Sequence, residues 1–181
     1  MRQSDSEVIR RVLGGDRAAF DVLVLEYQER IYRLAYRLTR NPEDARDLAQ
    51  EAFVQAYRSL GSFQQRSSFS TWLYRIAMNL CLNHLKSLGR MVPAGVDGSL
   101  PDHRQNSLEA ILTDERERAL AAAIETLPPQ QKATLTLRVH QGLSHREIAE
   151  VLECSEGTAK ANYFHAVRGL QRKLQAFRDP E

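Results

Sequence analysis

The sequence predicts an all-α protein built from two small helical units joined by a flexible linker. Apolar residues recur with a 3.6-residue period through most of the chain, and no run alternates β-branched and polar residues as a half-buried strand would. Between 89 and 106 that periodicity stops, and Gly89, Pro93, Gly95, Gly98 and Pro101 mark a stretch able to span tens of ångströms when extended. The 181 residues thus divide into units 1–88 and 107–181, each large enough for a modest core.

Val8, Ile9, Val12 and Leu13 predict a short first helix, stopped by Gly14-Gly15. Phe20, Leu23, Val24, Tyr27, Ile31, Leu34, Ala35 and Leu38 then form one long apolar stripe. Asn41 suits an N-cap, Pro42 the first helical position, and Glu43 and Asp44 the positive end of a third helix. That helix buries Ala45, Leu48, Ala49, Ala52, Phe53, Ala56 and Tyr57. A serine-rich loop, Gly61 to Ser70, leads to a fourth helix capped by Ser70 or Thr71 and running to about Leu88. Its core positions are Trp72, Leu73, Ile76, Ala77 and Leu80, while Arg75, Asn79, Asn83 and Lys86 share another face.

In the second unit one helix runs from Ser107 to Thr126 and stops before Leu127-Pro128-Pro129. Another covers Pro129 to His140, with Gly142 placed to end it. Ser144 and Glu147 have the spacing of a capping box. After Leu152 a short turn, Glu153-Cys154-Ser155, leads to a last helix from Glu156 to about Phe177.

Hydrophobic content of 43% and charged content of 27% are ordinary for a globular protein. No apolar run reaches bilayer length, and Met1 to Ser6 lacks a signal-peptide stretch, so a cytoplasmic, non-membrane-spanning protein is expected. Cys81 and Cys154 fall in different units and are expected to be reduced. A net charge of +2 is too small to imply a nucleic-acid partner, but its distribution is informative. Residues 109–156 carry 5 basic and 9 acidic side chains, whereas 157–178 carry Lys160, Arg168, Arg172, Lys173 and Arg178 and no acid. That polarity turns the final helix toward a phosphate backbone; it also complements that helix's own macrodipole.

Ser144–Leu152 and Glu156–Phe177 have the lengths and turn of a helix-turn-helix, with Ile148, Ala149, Leu152, Ala159, Tyr163, Ala166 and Leu170 interlocking. Outward positions of the second helix include Thr158, Lys160, Ala161, Asn162 and His165. Thr158 and Lys160 suit phosphate contact, and Asn162 has the paired donor and acceptor that read adenine. A helical hairpin used only for protein packing fits the same pattern. In the first unit, Phe63, Phe69, Trp72 and Tyr74 lie close to Asn79 and Asn83 and to Arg66, Arg75 and Lys86. Aromatic walls, amides and cations in one neighbourhood suit extruded bases better than duplex; Trp72 alone fits a core position equally well.

These segments, taken in order, resemble the extracytoplasmic-function (ECF) sigma factors, the two-domain class of bacterial RNA polymerase initiation subunit. Gly15-Asp16 with Ala19-Phe20 resembles the family's opening, and Asp44 to Phe53 its polymerase-binding helix. Phe63 through Asn79 resembles its −10 element reader. Leu127-Pro128, Leu143-Ser144, Glu147-Ile148-Ala149 and Glu156 to Lys160 resemble its −35 domain. The resemblance implies sigma domain 2 over 1–88 and sigma domain 4 over 107–181. It implies that Asp47, Gln50 and Glu51 face the β′ clamp of core polymerase, with the β flap a further contact. Phe63, Ser67, Ser68, Phe69, Trp72, Arg75, Asn79 and Asn83 would then serve the −10 element, and Thr158, Lys160, Asn162, His165 and Arg168 the −35 element. Promoter DNA and an anti-sigma factor are the other partners implied, with no cofactor and no small-molecule substrate. The chain departs from the family in its last helix, where Ala161, Asn162, His165 and Val167 stand in place of a richer arginine set.

Enzymatic readings find little support. His140, His145 and Cys154 have no recognised metal spacing, and Cys81 with His84 supplies at most half a site. No glycine-rich phosphate loop or nucleophile elbow is present. The alternative is a conventional helix-turn-helix regulator acting on duplex half-sites without polymerase, and a third reading uses the helices for protein contact only.

Overall fold

The structure, a computed structural model, describes residues 4–91 and 108–175. Residues 1–3, residues 92–107, which take in most of the expected linker, and everything beyond Gln175 lie outside the described residues. Eight α-helices and no strand are present among them: α1 (Asp5–Leu13), α2 (Phe20–Thr39), α3 (Pro42–Ser59), α4 (Phe69–Met91), α5 (Leu108–Glu125), α6 (Pro129–His140), α7 (His145–Val151) and α8 (Glu156–Gln175).

Helix α2 is the spine of the first unit. Its stripe, Phe20, Leu23, Tyr27, Ile31, Leu34, Ala35 and Leu38, is buried against α1, α3 and α4. Full burial of one such aliphatic side chain stabilises by about 1.5–3 kcal/mol. An exposed helix pair such as Arg33–Glu29 contributes about 0.3–0.5 kcal/mol, so the stripe decides the packing. Tyr27 adds a tie to α1, its hydroxyl donating to Asp5 Oδ2 at 2.6 Å. Asn41 caps α3 as its sequence predicts, its side-chain oxygen accepting from the amides of Glu43 and Asp44.

Two sequence expectations are corrected. Helix α4 is capped by Ser68, whose Oγ accepts from the Thr71 amide at 3.1 Å, rather than by Ser70 or Thr71. The earlier start draws Phe69 inward, where its ring packs against Tyr27, Phe63 and Trp72. Tyr57 is 40% exposed rather than buried, because it lies at the rim of a groove with its ring edge-on to Phe20.

In the second unit, α6 packs on α8 and α7 on α8. The two units share a seam, in which α7 packs on α4 and α6 touches α2 and α4. Across it Tyr74 Oη donates to Gln141 Oε1 at 2.8 Å, and Arg40 Nε to Glu125 Oε1 at 2.5 Å. Lys132, only 5% exposed, donates to the Leu38 carbonyl at 3.2 Å and to Glu125 Oε2 at 2.6 Å.

Cys81 sits in the core of α4, and burial pushes its thiol up to about 12. Since the thiolate is the reactive form, an alkylating reagent at mildly alkaline pH should label half-buried Cys154 at least about tenfold faster in the folded chain. Both should react alike once the chain is unfolded. Equal rates in the folded chain would show that the core around α4 opens readily.

Candidate nucleic-acid interface

The loop before α4 is organised by its aromatic residues. Phe63 and Trp72 have centroids 5.0 Å apart, Phe63 and Phe69 6.0 Å, and Phe69 and Trp72 5.7 Å. Phe69 and Trp72 are 3% and 7% exposed, and Phe63 is half-buried. The rings therefore form a floor rather than open stacking platforms. Above it Gln64, Gln65, Arg66 and Ser68 are exposed and Ser67 is half-buried. Gln65 takes a left-handed conformation, φ 54°. Ser68 Oγ lies 2.9 Å from Ser70 Oγ and 2.8 Å from Thr71 Oγ1, so the strip leads directly into the cap of α4.

Farther along α4, Asn79, Asn83 and Lys86 are exposed and Arg75 is half-buried, all on the face away from the core. No carboxylate among the described residues pairs with Arg75 or Lys86. The face thus carries exposed amides beside these cations, a composition suited to base edges and phosphates. Cys81 and His84 do not converge on a metal site: Cys81 is buried, whereas His84 Nε2 lies 3.2 Å from Asp44 Oδ2. No group of three potential metal ligands occurs among the described residues.

Asp47, Gln50 and Glu51 are all exposed on α3. Gln50 lines a groove of about 600 Å³ between α2 and α3, together with Val24, Tyr32, Arg46, Phe53 and Tyr57. Asp47 and Glu51 stand beside it on the same helix, and Glu51 accepts from Gln55 Nε2 at 3.2 Å. The sequence named the polar side chains but not the apolar groove, because five of its twelve lining residues come from α2. The signal available was Tyr57, an aromatic residue at the edge of an otherwise alanine-rich face.

Helix α7 opens with the expected capping box. Ser144 Oγ accepts from the Glu147 amide at 3.2 Å, while Glu147 Oε2 accepts from the Ser144 amide at 2.8 Å and its hydroxyl at 2.7 Å. The turn to α8 is tightened by Glu153 in a left-handed conformation, φ 52°, and by the Cys154 amide donating to the Ala149 carbonyl at 3.0 Å. Ser155 caps α8, its Oγ accepting from the Thr158 amide at 3.0 Å and lying 2.8 Å from Thr158 Oγ1.

On α8, Thr158, Lys160, His165 and Arg168 are exposed and Asn162 is half-buried. Lys160 pairs with Glu156 at 2.7 Å, and the Arg168 guanidinium lies 5.8 Å from the centre of the exposed Phe164 ring. Phe164, an apolar side chain beside the expected reading positions, was not identified from the sequence. Aromatic and methyl groups at such positions contact thymine methyls.

Two family models match the chain: Sigma-70 region 2 over residues 23–91, and Sigma-70 region 4 over residues 117–170. The RNA polymerase sigma-H factor of Pseudomonas aeruginosa is 40% identical over 184 residues, covering 96% of this chain and 95% of the relative. The ECF RNA polymerase sigma-E factor of Escherichia coli K12 is 36% identical, with 95% of each chain covered. Among solved structures, that of CnrH in complex with the cytosolic domain of CnrY shares the fold, with a TM-score of 0.70 at 24% identity over 96% of this chain and 99% of that one.

Replacing Ser144 by Ala removes one half of the capping box and should destabilise the full chain by about 1 kcal/mol in urea unfolding near neutral pH. The bonds from the Ser144 hydroxyl and amide hold the Glu147 carboxyl below its usual range. Its contribution is therefore present above the unfolded value of 4.5 and lost as pH falls through the lower folded value. The stability gap between wild type and S144A should accordingly narrow in acid; a gap independent of pH would separate the cap from Glu147.

Proposed function

The chain belongs to the ECF sigma factors of RNA polymerase, and on that premise we propose that it directs initiation through three separable surfaces. Helix α3, with Asp47, Gln50 and Glu51, docks on the β′ clamp, and the second unit meets the β flap. The loop from Phe63 to Ser70 and the outer face of α4 capture the melted −10 strand. The helix-turn-helix anchors the −35 duplex through α8. The chain itself performs no chemistry; its binding free energy favours the melted DNA on which the polymerase acts.

The observation that carries this reading is the −10 surface. A conventional regulator needs only a duplex-reading helix, whereas this chain also has an exposed polar strip beside an aromatic cluster, followed by solvent-facing amides and cations on α4. Phe63, Phe69 and Trp72 form the apolar floor on which a flipped base would be held, and Ser67, Ser68, Arg75, Asn79 and Asn83 supply the hydrogen bonds. On α8, Lys160, His165 and Arg168 face phosphates or base edges, and Thr158 contributes chiefly through the cap it completes with Ser155. Asn162 reads a base from its half-buried position. The protein works in the cytoplasm, on the nucleoid once polymerase is bound. A separate anti-sigma factor restrains it by covering polymerase-facing surfaces such as the groove between α2 and α3; co-purification from native cells would identify it.

Mixing the full chain with core polymerase and a promoter library should yield transcripts from a defined promoter set. Duplex binding without core, and no transcripts, would establish the regulator reading instead. Combined alanine substitution of Asp47, Gln50 and Glu51 should weaken core affinity by about tenfold or more, and retained affinity would place the docking surface elsewhere. Asn79→Ala, or exchange of Ser67-Ser68-Phe69 for another sequence, should change −10 preference while leaving core affinity intact. Unchanged preference would remove this loop from the reading surface.

A further inference from the structure

The seam between the two units holds a concave surface that promoter recognition does not use. Arg30, Arg33 and Arg37 follow one another along one face of α2, and Tyr74 of α4 with His140 and Gln141 at the end of α6 closes a crevice of about 240 Å³ against them. Its charge is unbalanced. Arg33 Nε pairs with Glu29 at 2.6 Å, and Arg30 lies 3.8 Å from Glu26. Arg37 is half-buried and meets no carboxylate among the described residues. Burial and the neighbouring Arg33 and Arg40 lower its affinity for a proton, and burial and Arg37 do the same to His140. Gln141 spends its oxygen on the Tyr74 hydroxyl, which leaves its amide hydrogens without an acceptor among the described residues.

Partly desolvated like charges are costly unless an anion compensates them. Guanidinium forks match phosphate oxygens in paired hydrogen bonds, and the amide of Gln141 offers a further donor. The volume is below that of sites for drug-sized ligands, which fits a compact anion. We propose that this crevice binds a compact phosphate-bearing anion, which bridges α2 and α6 and so favours the closed packing of the two units. The DNA-facing surfaces assigned above lie elsewhere, on the outer face of α4 and on α8. Because both units contribute, an anion selective for the closed form stabilises it by mass action.

The test is titration calorimetry of the full chain with pyrophosphate, paired with thermal melting. One site per chain is expected, with a rise in melting temperature. Arg37→Ala should lose at least about tenfold in affinity, Arg37→Lys should lose less, and Arg10→Ala, an exposed residue on α1, should change nothing. Melting without ligand checks that each variant is folded. No binding at millimolar pyrophosphate, or equal binding by Arg37→Ala, overturns the proposal. A parallel arm uses a short single-stranded oligonucleotide: if only the strand senses Arg37, its phosphates are the partner and the compact-anion site is overturned. None of these readouts involves polymerase or transcripts, so failure here is distinct from failure of the promoter reading.

Discussion

The closed packing depends on one buried ammonium finding partners in both units. Lys132 is 5% exposed, and burial lowers its affinity for a proton while Glu125 opposes that shift. A lone buried ammonium costs several kcal/mol, so Lys132 stays charged in place only while its partners surround it. One partner, Glu125, comes from its own unit; the other is the Leu38 carbonyl in the last turn of α2. Helix ends leave carbonyls unsatisfied, and α2 ends abruptly because Arg40 turns left-handed, φ 55°. Arg40 then reaches Glu125 from the other side. The end of one unit's spine thus supplies the polar half of the seam.

That arrangement divides the molecule energetically. Within the first unit, fully buried Leu23, Ile31 and Leu34 each contribute about 1.5–3 kcal/mol, and no rearrangement of charge releases them. At the seam, neutral ties such as Tyr74–Gln141 contribute about 0.5–1.5 kcal/mol net. The Lys132 cluster specifies register more than it adds strength, since breaking any one contact strands a charge. The α4–α7 packing adds apolar burial, with Ile148 and Val151 fully enclosed. The interior of each unit is therefore the durable part of the fold, and the contact between them is the part that binding energy can exchange.

The sequence exposed the durable part well. Periodicity identified α2 because seven of the eight apolar residues on its stripe are buried, and the caps at Asn41 and Ser144 were legible because each is a local interaction over three residues. The cap of α4 lies two or three residues before the expected one, because the burial of Phe69 against Tyr27, forty-two positions away, outweighed local cap preference. Likewise the groove beside Gln50 and the arginine crevice of α2 are made by residues distant in sequence, and no local pattern reports their meeting. The seam was invisible for a further reason: Lys132 reads as an ordinary solvated lysine until Leu38 and Glu125 are placed around it.

The closed packing also bears on how two promoter elements are read at once. Elements centred 25 base pairs apart lie about 85 Å apart along straight duplex at about 3.4 Å per step. Helix α7, which carries the first half of the helix-turn-helix, packs here on α4, the helix assigned to the −10 strand. Units in direct contact cannot occupy positions so far apart. On the promoter reading, the seam must therefore be given up when both elements are engaged. Its cost is borne by docking on polymerase and by capture of the melted strand, not by α8 alone. An α8 whose Lys160 is already paired with Glu156, and whose Arg168 lies against Phe164, has few charges left for phosphates. On the promoter reading such a helix would serve as a modest second anchor, effective once the units have separated.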